Sequence, residues 1–168
     1  RPTECNDKEV AKAVALSAII FSNLNRTNHI DVQFNWDSAL TFQGDSGPYL
    51  LYAYARISSI KQRFVSEGGS FEPNFDPQLL TEATAHELLS ILADFEATVE
   101  LIAQENEPLH LTTYALNIAK AFSRCYKELK VIGMEKPLAN TRLCLFESCR
   151  KVLEETLKLL GIPTIERM

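Results

Sequence analysis

The chain has 168 residues, 17 of them Lys or Arg and 22 Asp or Glu, for a formal charge of -5. Apolar residues make up 46%, enough for one sizeable core without disulfide staples, so overall disorder and a cysteine-dense scaffold are excluded. The negative sum also excludes a uniformly basic nucleic-acid coat.

Apolar periodicity predicts mostly helix. Val10, Val14, Ala18 and Phe21 form the stripe of a packed helix over Lys8 to Leu24. From Asn23 to Gly47 that period is lost. His29 to Phe34 alternates and is expected to be briefly extended, and Trp36 to Phe42 reads as a short helical turn. Asp45 or Ser46 is a candidate cap, and Pro48 suits a first helical turn. The helix from Pro48 to about Val65 carries Leu50, Ala53, Ile57, Ile60 and Phe64 on its core face. Glu67 to Pro77, with its glycines and prolines, reads as a mobile loop.

Asp76-Pro77 is expected to open a third helical stretch that reaches Asn106, broken near Ala93-Asp94. Leu109 to about Ile132 forms the next helix, with Leu111, Tyr114, Ile118, Cys125 and Leu129 inward. After a turn over Gly133 to Pro137, Leu138 to Leu160 is the last long helix, ended by Gly161. The expected fold is all-α: one bundle of five or six helices over residues 1–168, with a long, partly extended loop after the first helix.

Several chemistries drop out. Gly44-Asp45-Ser46-Gly47-Pro48 comes close to the nucleophile loop of trypsin-like proteases, but one glycine is missing, the surroundings are helical, and His29, His86 and His110 form no pattern. Cys5, Cys125, Cys144 and Cys149 contain no C-x-x-C pair and read as free thiols; Cys and His are not at metal-ligand spacing. No phosphate-binding glycine loop and no apolar run of membrane-spanning length occurs. The start, Arg1-Pro2-Thr3-Glu4, is neither a signal peptide nor an initiator Met. A piece of a longer, intracellular polypeptide is expected.

Charge is uneven. Residues 1–110 hold 7 basic and 16 acidic side chains, and residues 111–168 hold 10 basic and 6 acidic. Such a split fits either two differently solvated faces or an anionic partner for the basic part. Two stripes bear on this. Tyr49, Tyr52, Arg56, Ser59 and Arg63 share one side of the Pro48 helix. Rings and guanidiniums there could stack on unpaired bases and hold phosphate, or the tyrosines could simply pack on a neighbouring helix. On the Leu109 helix, Lys120, Arg124 and Lys127 form a basic row, with Tyr126 and Lys130 along a flank.

The segments Phe34 to Leu40 and Gly44 to Ile57 together resemble the signature that follows the catalytic domain in arginyl-tRNA synthetases. Arg142 to Phe146, Leu159 to Ile162 and the closing Glu166-Arg167-Met168 are similar to that family's C-terminus. The resemblance implies a helical anticodon-binding domain of the DALR type, the C-terminal part of a class I synthetase. The HIGH-like and KMSK-like catalytic signatures are absent from these residues, so the fragment alone is expected to be inactive and to need no cofactor of its own. The parent enzyme would use ATP and magnesium to activate arginine before charging tRNA.

By position, the resemblance places Tyr49, Tyr52 and Arg56 on the anticodon-facing helix and Tyr126 on the second helix of that cleft. Lys130 falls where a relative can carry an aromatic ring. Met168 matches a terminal residue that folds back near the anticodon. Lys120, Arg124 and Lys127 would supply a local field. Leu51 stands where the family often has Gln, which suggests packing. The implied partners are the anticodon loop of arginine tRNAs and the parent catalytic domain, in cytoplasm or mitochondrion, with no membrane. Arginine anticodons share a middle C, whose reading requires a splayed base. A non-catalytic protein-interaction module is the competing reading. The acidic stretch from Glu67 to Glu107 is expected to lie away from RNA.

Overall fold

The computed structural model describes residues 8–29, 31 and 33–168. Among them are seven α-helices: α1 Lys8–Leu24, α2 Trp36–Ala39, α3 Gly47–Ser66, α4 Ala83–Ala93, α5 Phe95–Glu105, α6 Leu109–Glu128 and α7 Lys136–Leu159. No strand occurs among the described residues. The all-α expectation holds. The count rises to seven because Trp36–Ala39 is a helix of its own and the third stretch divides at Asp94. The extended segment expected over residues 29–34 includes positions 30 and 32, which lie outside the described residues.

Helix α6 is the centre of the bundle and packs against α1, α3, α4, α5 and α7. Its Ala115, Ala119 and Ala121 are buried, and such small side chains let neighbouring helices approach closely. Leu50, Leu51, Ile57, Leu88, Ile118, Leu145, Leu153 and Leu157 fill the core between them.

Local chemistry sets the helix ends. Ser46 caps α3: its Oγ accepts from the Tyr49 N–H at 3.2 Å, and Pro48 occupies the first turn. Gly47 is required there by contact, since a Cβ on it would lie 2.1 Å from the backbone oxygen of Ser17 on α1. The α4–α5 break is held by Tyr114 of α6, whose hydroxyl donates to the Ile91 carbonyl at 2.9 Å. At the end of α7, Gly161 adopts φ 75°, and the N–H groups of Gly161 and Ile162 donate to Lys158 and Leu157. That is the left-handed cap in which glycine bears no Cβ penalty.

Two boundaries differ by several residues from the sequence reading. Asp76-Pro77 does not start a long helix; Asp76 caps only a 3₁₀ turn over Pro77–Leu79. The chain then turns Leu80 into the core, and α4 begins at Ala83. Helix α6 stops at Glu128, where Leu129 takes extended backbone; Leu129 and Val131 are buried, with Lys130 between them outward.

The segment read as a mobile loop is bonded to α7. The N–H of Glu72 donates to Asn140 Oδ1 and that of Asp76 to Thr141 Oγ1, both at 3.2 Å. The next residue, Arg142, pairs with Glu82 and donates to the Lys130 carbonyl at 2.6 Å. Asn140, Thr141 and Arg142 are all buried.

Cys125 and Cys149 are buried free thiols and Cys144 is half-buried; Cys5 lies outside the described residues. Burial pushes the Cys125 thiol up to about 12, so it is protonated and inert at neutral pH.

Candidate nucleic-acid interface

The site is built on one exposed side of α3. Leu50, Leu51, Ala53, Tyr54 and Ile57 are committed to the core, which leaves Tyr49, Tyr52, Arg56, Ser59 and Arg63 toward the edge. Tyr52 is 44% exposed, a large aromatic surface left in water. The Arg56 guanidinium lies 4.2 Å from the ring centre of Tyr126 on α6 and 6.0 Å from that of Tyr52. A guanidinium held at that distance over a ring is a cation–π contact. Tyr126 is in turn backed by Phe122 at 5.7 Å and Phe146 at 6.5 Å. Tyr126 is thus anchored to the core on one side and carries the cation on the other.

Two grooves flank this cluster and share Tyr52. One, of about 680 Å³, runs between Tyr52, Arg56, Ser59, Gln62 and Arg63 of α3 and the tail residues Glu166, Arg167 and Met168. The other, of about 570 Å³, is lined by Phe42, Gln43 and Gly44 of the loop before α3, by Tyr49 and Tyr52, and by Lys120, Ser123 and Lys127 of α6. Burial raises the pKa of the Tyr49 hydroxyl, against the lowering pull of Lys120 and Arg124, so it stays a neutral donor.

The structure therefore brings Tyr49, Tyr52, Arg56, Tyr126, Met168, Lys120 and Lys127 around one cluster. It does not bring Lys130 there: its side chain is exposed and lines neither groove, while its carbonyl serves Arg142. Arg124 is held by Glu87 of α4, with N–O distances of 2.5 and 3.3 Å. Lys120 is held by Asp45 at 2.7 Å. Phe42, Gln62 and Arg167 also line the grooves and were not singled out from sequence. An apolar residue just before a capped helix, in a stretch without period, was the available signal for Phe42.

The uneven charge is partly met within the fold. Glu72 pairs with Lys136, Glu82 with Arg142 and Glu87 with Arg124. These acids of the stretch from Glu67 to Glu107 are tied to α6 and α7, and Glu87, expected with that stretch to lie away from RNA, stands instead beside the basic row of α6. No group of three or more His, Cys, Asp or Glu able to hold a metal occurs among the described residues. No helix among them is long and apolar enough to cross a membrane.

The described residues form a helical bundle with a tyrosine–guanidinium face beside two open grooves. The family model for the DALR anticodon binding domain matches residues 50–168. The chain belongs to that family. It is 35% identical over 164 residues to the arginine–tRNA ligase of Clostridium botulinum, covering 97% of this chain and 28% of that protein. It is 34% identical over 166 residues to a probable cytoplasmic arginine–tRNA ligase of Dictyostelium discoideum, covering 98% and 28%. The arginyl-tRNA synthetase structure of Thermus thermophilus superposes with a TM-score of 0.88 and 32% identity, over 100% of this chain and 29% of that one. That of Plasmodium falciparum gives 0.81 at 22% identity, over 97% and 29%, and speaks for the fold. The chain spans less than a third of the length of these relatives.

Proposed function

We propose that this chain is the anticodon-recognising domain of an arginine–tRNA ligase, acting in cytoplasm or mitochondrion. The observation that carries the reading is Arg56, fixed over Tyr126 with the exposed Tyr52 beside it, at the junction of the two grooves. A loop base splayed out of its stack finds the Tyr52 ring as a platform. Arg56 offers a planar donor fork to a base edge or phosphate, with Tyr49 and Met168 at the borders and Lys127 as a nearby cation. Lys120 and Arg124 stand in the same basic row with their charges met by Asp45 and Glu87. Lys130, exposed outside the grooves, is given no base contact in this reading.

The domain supplies affinity and register. Activation of arginine with ATP and magnesium, and transfer to tRNA, belong to the catalytic part of the longer enzyme.

The test is binding by the complete ligase of an arginine tRNA transcript and of one with the middle anticodon C replaced. Preference for the first, lost in Tyr52→Ala and Arg56→Ala, supports the reading. Equal binding of both transcripts by the wild type, or none, overturns it in favour of a protein-interaction module.

A further inference from the structure

The α6 basic row holds three cations on one helical side, and two of them are already occupied. Asp45, in the loop before α3, takes Lys120 at 2.7 Å, and Glu87, from α4, takes Arg124 at 2.5 Å. The third, Lys127, has no acidic partner among the described residues and lines the groove with Tyr49 and Tyr52. All four paired side chains are about half exposed. Exposed pairs of this kind contribute little to stability, so holding the fold together does not explain them. They do change how the surface meets a polyanion. A row of three free cations grips any phosphate chain, whatever its sequence, through counterion release. A row in which two cations carry their own counter-charge leaves one uncommitted charge, at the position next to the aromatic platform.

We infer that Asp45 and Glu87 are specificity-determining residues, built-in counter-charges that suppress sequence-blind RNA binding and leave Lys127 to set the phosphate register. The inference rests on the anticodon-recognition reading. Its logic is that of selectivity gained by weakening the wrong complexes. RNA bound without base contacts loses most from the masking, because phosphate contacts are all it has.

The experiment is filter binding of the same two tRNA transcripts to the complete ligase over a series of salt concentrations. It compares wild type with Asp45→Asn/Glu87→Gln, near-isosteric changes that leave the loop and helix chemistry in place. Each released cation is expected to steepen the slope of log Kd against log salt by about 0.7–0.9. Affinity at low salt is expected to rise about two- to fivefold per released cation for the mismatched transcript, and less for the cognate one, so discrimination falls. Adding Lys120→Gln/Arg124→Gln to that variant should restore the original slope. An unchanged slope, weaker binding of both transcripts, or intact discrimination in the double variant overturns the inference. If the wild type shows no anticodon preference at all, the reading under Proposed function fails; if it does and the slope stays fixed, only this inference fails.

Discussion

Arg56 of α3 and Tyr126 of α6 meet face on, the guanidinium carbon 4.2 Å from the ring centre. The pair joins two helices at the surface, and Phe122 and Phe146 support its aromatic half from inside. Stability and binding therefore overlap in Tyr126 and separate in Tyr52.

Tyr52→Ala is expected to leave the unfolding free energy within about 0.5 kcal/mol of wild type, as for most surface changes. It should lower arginylation kcat/KM for tRNA about 5- to 150-fold, the range of one lost base-stacking contact. Tyr126→Ala should do both kinds of harm, with roughly 2 kcal/mol lost from a half-buried aromatic, whereas Tyr126→Phe keeps the packing. Urea unfolding beside arginylation kinetics separates these outcomes.

Arg142 and Glu82 form a buried ion pair, with side chains 9% and 18% exposed. Arg142→Met strands a buried carboxylate and should cost about 3–5 kcal/mol. Combining it with Glu82→Gln should recover part of that loss, because the remaining group is neutral. Full additivity of the two changes in denaturant titrations would contradict a coupled pair.

Gly47→Ala places a methyl against the Ser17 backbone, where no side chain can swing aside. A loss of about 2 kcal/mol or more is expected, at the upper part of the overpacking range. A thermal melt of the variant matching wild type would show that α1 and α3 can part without cost.

Glu147 gives a pH signature. Burial opposes its ionisation, but the hydrogen bond and charge of Arg150, with Lys61 and Lys151, outweigh burial and hold its carboxyl below the usual value. A carboxyl lowered in the folded state contributes fully above the unfolded value of about 4.3 and loses its contribution as pH falls through the folded one. The stability gap between wild type and Glu147→Gln should therefore narrow between about pH 5 and pH 3 in urea unfolding. A gap that is constant or widens over that window would rule out the assignment.

Much of this architecture is legible in local signals. Ser46-Gly47-Pro48 and Gly161 mark helix ends through caps that act within a few residues, and the α3 and α6 core stripes follow from 3.6-residue periodicity. What local reading misses is decided at a distance. Asp76-Pro77 carries a helix-start signal, yet the ties of Asp76 and Glu82 to α7 limit it to one 3₁₀ turn. The site shows the same division. Tyr52 and Arg56 are paired by helical spacing, but Tyr126 reaches them only because α6 packs on α3. That Lys120 and Arg124 are already engaged could not be seen from α6, since their acids come from other elements.

The Asn140–Thr141 fastening has one more consequence. Both of its bonds to the long connection are received from main-chain N–H groups, those of Glu72 and Asp76. A backbone donor is supplied by every residue except proline. The connection can thus change its side chains at these two points and keep both bonds, forfeiting only the Glu72–Lys136 pair and the Asp76 cap, while proline at either point would remove the bond made there. For these two fastenings the burden of sequence fidelity falls on the helix that receives the bonds.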